Sequence, residues 1–512
     1  MRFLNSVKNF FVGIGGNIIT LILGFVSRYL FLMILSVEYL GVSGLFSSIL
    51  TMLSFAELGI GTAIVYSLYK PLAEKNEREI LAIMQFFRKV YTIIGIVVFL
   101  AGMALLPFLD FFITDRKGID NLELIYVLFL INTSISYFFS YNRSLITADQ
   151  KAYKLVTADY IYKFAHVLLP ILTLWITKNY IVYLVTQIVT TFLWNLIVFF
   201  IVRNQYPVLK TKEKYKITKE VKDAIVKNTF ALMIYKIAIV VTSGTDNLLI
   251  TKFFGLTAVG LCSNYTLVIQ NLTSLLSQGM NAVTASVGNL NSTESDDKKY
   301  DIFKILFFMN FWIYSFASLG LYFCINPLIS VCFGSKYVVE DSILIPMVIS
   351  FFLLGMQSPT SIFRDAQGLF WQGKFRPIAQ TIINLGSSIL LAKLTNNVGT
   401  IFWGTAISRL CTNFWFDPYI VYKHGFHKPL MPYFGKYLGY VLLIIPPFAV
   451  CYILVHFLNT SSNVANLIID VVLTTLVVNA FYLLFFFKTK EFDYLKNSVF
   501  KNFKNILVKK GK

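Results

Sequence analysis

The sequence predicts an all-α polytopic membrane protein with about fourteen transmembrane helices. Apolar runs of about 20 residues, the length that crosses a bilayer as a helix, recur from one end of the chain to the other. Of the 512 residues, 56% are hydrophobic and 14% charged, and mean hydropathy is +0.67, whereas soluble domains carry about 25% charge. Lys and Arg also crowd into alternate connecting segments, as topology rules require of a multi-pass protein. Alternating-strand patterns separated by turns are absent, which argues against a membrane barrel.

The hydrophobic segments fall at 9–35, 39–69, 88–113, 121–148, 155–177, 180–203, 225–252, 256–285, 302–333, 340–364, 375–394, 396–422, 433–458 and 463–487. The first follows Arg2 and Lys8 but is too long for a cleavable leader, so it reads as the first membrane helix. The second carries Glu57 close to its middle, inside AELGIG. An ionised carboxylate there costs roughly 2.5–3.5 kcal/mol on insertion scales, so it faces a cavity, pairs with a cation or stays protonated. Gly41, Gly59 and Gly61 on the same segment allow close approach of neighbouring helices.

Six helices (1–203, the N-lobe) precede a basic link at 204–224, and six more follow at 225–422, the C-lobe. Helices 13 and 14 occupy 423–487, and 488–512 is a basic tail. In that tail Phe492, Leu495, Val499, Phe503 and Ile506 recur at helical spacing among lysines, the pattern of an amphipathic helix on the inner leaflet. With both termini cytoplasmic, the opposite loops hold only Arg116, Lys117, Lys178, Lys252, Lys336 and Lys393. The net charge of +19 is thereby gathered on one membrane face, where anionic lipids, and not nucleic acid, are the expected partner.

Sliding the chain over itself by 219 residues sets Lys8-Asn9 on Lys227-Asn228 and Gly41 on Gly260. Arg143 then falls two residues from Arg364, each at the cytoplasmic end of the fourth helix of its set. The spacing predicts a duplication whose two lobes run parallel, with the site between them.

Charges within the membrane are the candidate site residues. Arg28 lies on helix 1, Lys236 and Asp246 on helix 7, and Arg409 on helix 12 with Asp417 two turns inward. Asp159 and Lys163 stand at i, i+4 on helix 5, a spacing that allows local pairing. Arg28, Lys236, Arg143, Arg364 and Arg409 are expected to attract an anionic head group such as a pyrophosphate, with Glu57 and Asp246 in coupling or gating. No glycine-rich phosphate loop, HExxH motif or cluster of metal ligands occurs, and the outer loops are short. The expectation is therefore a non-enzyme with no cofactor and no metal. The five cysteines all fall in apolar runs without metal-ligand spacing.

The run EYLGVSGLFSSILTMLSFAELGIGTAIVYSLYKPLAEKN resembles the second-helix signature of bacterial polysaccharide repeat-unit flippases. These Wzx-type transporters belong to the multidrug/oligosaccharidyl-lipid/polysaccharide (MOP) exporter superfamily. RSLITADQKAY, FRDAQGLFWQGKFRPI and the stretch Asn384–Leu391 are similar to later blocks of that family. The resemblance implies alternating access that carries an undecaprenyl-pyrophosphate-linked oligosaccharide to the outer leaflet of the bacterial cytoplasmic membrane. Such carriers serve capsule, exopolysaccharide or O-antigen-type polymer assembly, alongside a polysaccharide polymerase and glycosyltransferases. It also implies a cation-lined central cavity between two six-helix lobes. The other readings are a multidrug/toxin extruder of the same superfamily, exchanging small cations for protons or sodium, and a membrane enzyme or scaffold of polymer assembly.

Overall fold

Among the described residues the apolar segments are helical, some of them interrupted, and no strand occurs. The computed structural model describes residues 22–497, apart from 58–59, 114–118, 150, 152, 212, 214, 294, 368, 370–371 and 374. Side chains at 55–56, 62–63, 66, 153, 156–157, 220–243, 281–286 and 288–293 are also outside the description. Among the described residues ten helices are long and apolar enough to cross a membrane. By its contacts the chain forms two compact units, Met1–Ser263 and Asn264–Lys512.

In the first unit α1 is Ile22–Ile34, α2 Val37–Leu53, α3 Ile60–Ala73 and α4 Glu77–Leu105. Then come α5 Leu122–Ala148, α6 Tyr153–Thr177 and α7 Tyr180–Gln205. Asn76 and Asn179 cap α4 and α7 by accepting backbone N–H bonds, so each helix starts where its sequence offers a cap. Lys219–Thr293 is two helices, α8 (219–254) and α9 (256–293), which meet at Gly255 with φ 84°. Only glycine takes that backbone without strain.

The sequence predicts one helix across the second segment, and the structure breaks it. A 3₁₀ turn at Ser54–Glu57 separates α2 from α3. Tyr137 on α5 donates to Ser54 Oγ at 2.7 Å, and Tyr91 on α4 donates to Glu57 Oε1 at 3.4 Å. Polar side chains at the break are thus satisfied by neighbouring helices.

The 219-residue offset reappears as reciprocal contacts. A Cβ on Gly41 would stand 2.1 Å from the Leu256 carbonyl oxygen, and one on Gly260 would stand 2.3 Å from that of Val37. Val37 and Leu256 are offset partners, as are Gly41 and Gly260. Between them Thr257 donates to Glu38 at 2.8 Å, again a pair at that offset. Arg28 donates to Ser263 at 2.7 Å, while its offset partner Asn247 donates to the carbonyl of Gly44, the partner of Ser263. Helices α2 and α9 therefore cross about a local twofold, at a distance only glycine permits.

The second unit continues with α10 Asp296–Phe333, α11 Asp341–Met356, α12 Ser358–Ala366 and α13 Arg376–Thr395. The segment expected as one helix at 396–422 is also broken, into α14 Gly399–Cys411 and α15 Asn413–Val421. Thr412 between them has φ −126° and ψ −79°. The last two spans are α16 Met431–Phe457 and α17 Asn463–Phe486. An aromatic seam fixes them to α10: Phe311 stacks on Tyr440 with centroids 4.2 Å apart, and Phe308 meets Phe486 edge-on at 4.8 Å.

Of the expected amphipathic tail, residues 490–497 are helical and 498–512 lie outside the described residues. Phe492 stacks on Trp312, and Glu491 pairs with Lys436.

Candidate functional site

In the first unit, the break in the second segment opens a cavity of about 380 Å³. Glu57 enters it from the 3₁₀ turn and Tyr91 from α4, with Arg143 and Ser144 from α5 and Trp194 and Asn195 from α7. The structure thus brings together Glu57 and Arg143, two of the site residues expected from the sequence. Arg143 donates to Asp159 on α6 at 2.8 Å, its side chain 53% exposed. The i, i+4 spacing offers Asp159 a partner in Lys163, one turn on. It pairs across to α5 instead, while Lys163 lies over the Tyr160 ring at 5.5 Å. Trp194 is held by stacking on Tyr162, centroids 5.0 Å apart and planes at 15°. Tyr91, Trp194 and Asn195 carry no motif in the sequence; they join the site only because α4 and α7 are folded beside α5.

The second unit holds a different cluster. Asp417 on α15 is fully buried and accepts from Arg364 Nη1 on α12 at 3.0 Å. Arg376, at the start of α13, pairs with its other carboxylate oxygen. Arg364 also meets Asp365 at 2.8 Å. Two guanidiniums and two carboxylates balance, and the low dielectric around them strengthens each charge-assisted bond. One turn earlier on α15, Asn413 donates to Gln357 at 2.8 Å.

The remaining expected residues are placed singly. Arg28 on α1 is half-buried and bonded to Ser263 of α9. Asp246 on α8 and Arg409 on α14 are half-buried. Lys236 lies in the helical backbone of α8, its side chain outside the described residues. Among the described residues no group of three or more His, Cys, Asp or Glu is arranged to hold a metal ion.

The fold is that of solved MOP-superfamily transporters. The chain superimposes on lipid II flippase MurJ in an inward closed conformation with TM-score 0.66 and 14% identity, covering 92% of this chain and 98% of that one. An inward-facing multidrug resistance MATE family transporter of the MOP superfamily matches at TM-score 0.61 and 13% identity, over 79% of this chain and 96% of that one. A MOP superfamily transporter from Pyrococcus furiosus matches at 0.53 and 12%, over 81% and 94%. At these identities the likeness is one of fold. No family model matches the sequence, and no curated protein matches it.

Proposed function

We propose that this multi-pass membrane protein is a flippase that moves an undecaprenyl-pyrophosphate-linked oligosaccharide repeat unit from the inner to the outer leaflet by alternating access. The observation that carries the reading is coverage. The multidrug transporter is itself 96% covered yet accounts for 79% of this chain, whereas the lipid II flippase accounts for 92%. The flippase match therefore takes in more of this chain than a multidrug body does, by an amount the size of a helical pair such as α16–α17. The second-helix block of the sequence supports the same reading.

In this mechanism Arg28 on α1 and Lys236 on α8 meet the pyrophosphate. Arg364 is matched by Asp417 and Asp365, and Arg143 by Asp159. Outward movement of an anionic head group is favoured by an inside-negative potential, by about 2.3 kcal/mol per charge per 100 mV. A charged hydrogen bond contributes about 1.5–3 kcal/mol, so Arg28→Ala should slow flipping at least about tenfold in vesicles loaded with the lipid-linked substrate. Near wild-type flipping with Arg28→Ala and Lys236→Ala combined would move the anion site elsewhere, Arg409 being the next cation to test. A small-cation extruder is the second reading, favoured by the Glu57 carboxylate in the first unit's cavity. Uptake of an organic cation by the same vesicles, without flipping, would establish it.

A further inference from the structure

We infer that the cavity in the first unit is a carbohydrate subsite that takes one neutral sugar ring. The inference rests on the lipid-linked oligosaccharide reading, and concerns where part of that head group is recognised.

Size sets the first limit. About 380 Å³ lies at the low end of ligand pockets, which run from about 300 to 1,000 Å³. That is room for a single ring with a few waters. Charge sets the second. Arg143 is paired with Asp159, and Glu57 adds a further carboxylate, so the cavity has no surplus of positive charge with which to hold a phosphate. A ring whose hydroxyls both donate and accept suits it better.

The hydrogen-bonding groups that line the cavity match that ligand. Glu57 accepts from Tyr91 and is engaged by Tyr137 as well. Arg143 has five N–H donors, of which Nη2 is directed at Asp159. Asn195 donates its amide to the Thr191 carbonyl at 2.9 Å, which leaves its own Oδ1 as an acceptor. Ser144, next to Arg143 in the chain, can do either. Trp194, 8% exposed and set in place by its stack on Tyr162, supplies an aromatic edge to one side of the cavity, while Tyr91 is buried. Acceptors, donors and an aromatic edge thus converge on one small volume.

The test needs no transport. The full chain in lipid nanodiscs is probed by saturation-transfer NMR against free glucose, galactose, N-acetylglucosamine and rhamnose, with tetraphenylphosphonium as the cationic alternative. At least one neutral sugar should give a signal that Asn195→Ala weakens several-fold and Ser144→Phe, which fills the cavity, abolishes. Melting temperatures near wild type show that both variants are folded. Absence of a signal from every sugar overturns the inference, as does a sugar signal that survives Ser144→Phe. So does a signal from tetraphenylphosphonium alone that Ser144→Phe removes. Flipping that proceeds normally without sugar binding would leave the flippase reading intact and sink only the subsite.

Discussion

Arg143 and Arg364 stand in corresponding places in the two halves of the sequence, each near the end of the fourth helix of its set, yet they live in different surroundings. The Arg143 side chain is 53% exposed beside a polar cavity, with one carboxylate partner. That of Arg364 is 7% exposed, and its principal partner, Asp417, is fully buried between two arginines. The difference comes from the partner's helix. Asp159 reaches Arg143 from α6, the next span in sequence, and leaves the guanidinium open to the cavity. Asp417 reaches Arg364 from α15, a short helix that begins after the break at Thr412 and packs against α12. One of the two positions borders a cavity, and the other is locked in a buried ion-pair network.

The largest effect expected from this contrast is on stability. Asp417→Ala leaves Arg364 and Arg376 facing each other with their shared counter-charge gone, and breaking such a buried pair costs about 3–5 kcal/mol. Asp159→Ala removes the partner of a half-exposed arginine and should cost about 0–1 kcal/mol. Denaturation of the two variants in detergent or nanodiscs measures both. Equal losses would mean that exposure does not separate the two arginines.

A second effect concerns where the first unit keeps its own tight contact, given that the Arg143 pair is loose. That contact is the α2–α9 crossing. Gly41→Ala puts a methyl group 2.1 Å from a backbone carbonyl oxygen, and overpacking of this kind costs about 1–3 kcal/mol. A methyl group added at Gly386 on α13 would meet nothing within 4 Å, so Gly386→Ala should be neutral or stabilise by up to about 1 kcal/mol. If Gly41→Ala melts with the wild type, the crossing is more yielding than its geometry implies.

These contrasts also mark what is legible in the sequence. The apolar runs are enough for the helices seen among the described residues, because bilayer-crossing length is read from local composition. The 219-residue offset points to Gly41 and Gly260, which the fold brings into reciprocal contact. The buried network is not legible, since Asp417 draws partners from 53 and 41 residues upstream, and no local pattern encodes such a meeting. The breaks at Ser54–Glu57 and Thr412 are hidden for a related reason: tyrosines on other helices satisfy the first, and the second follows from how α15 is packed. Asp159 shows the opposite failure. An i, i+4 partner is present in the sequence, and a cross-helix arginine takes its place.

A third prediction sharpens the functional side of the comparison. Glu57 shares its cavity with Arg143, so movement of α3 or α5 that changes their separation would change how readily Glu57 holds a proton. Glu57→Gln keeps the size and the bond from Tyr91 but cannot release a proton. If Glu57 couples transport to protons, flipping by this variant should no longer respond to an imposed pH gradient. An unchanged pH response would make the carboxylate a packing or sugar-binding group. Asp417→Asn, by contrast, should act through folding and leave the pH response of any surviving activity alone.

The smallest effect is expected where the two units are alike. Each has a lysine-paired carboxylate just beyond a membrane span: Asp149 with Lys151 after α5, and Glu491 with Lys436 after α17. Burial works to raise both carboxyls, but it is outweighed by hydrogen bonds from Lys151 and Tyr206 on Asp149, and from Lys436 on Glu491. Both therefore titrate below their ordinary values of 3.8 and 4.5. A carboxyl depressed in the folded state stabilises it above the unfolded value, and that contribution is lost as pH falls through the folded one. The side chains are 23% and 21% exposed on the acid side and 40% and 31% on the lysine side, so each pair should contribute only about 0–1 kcal/mol. Melting of Asp149→Asn and Glu491→Gln should accordingly fall slightly below wild type at neutral pH and converge with it as the pH drops below 3.8. Should Glu491→Gln instead cost as much as Asp417→Ala, exposure would not be what sets the strength of these pairs, and the contrast between Arg143 and Arg364 would need another cause.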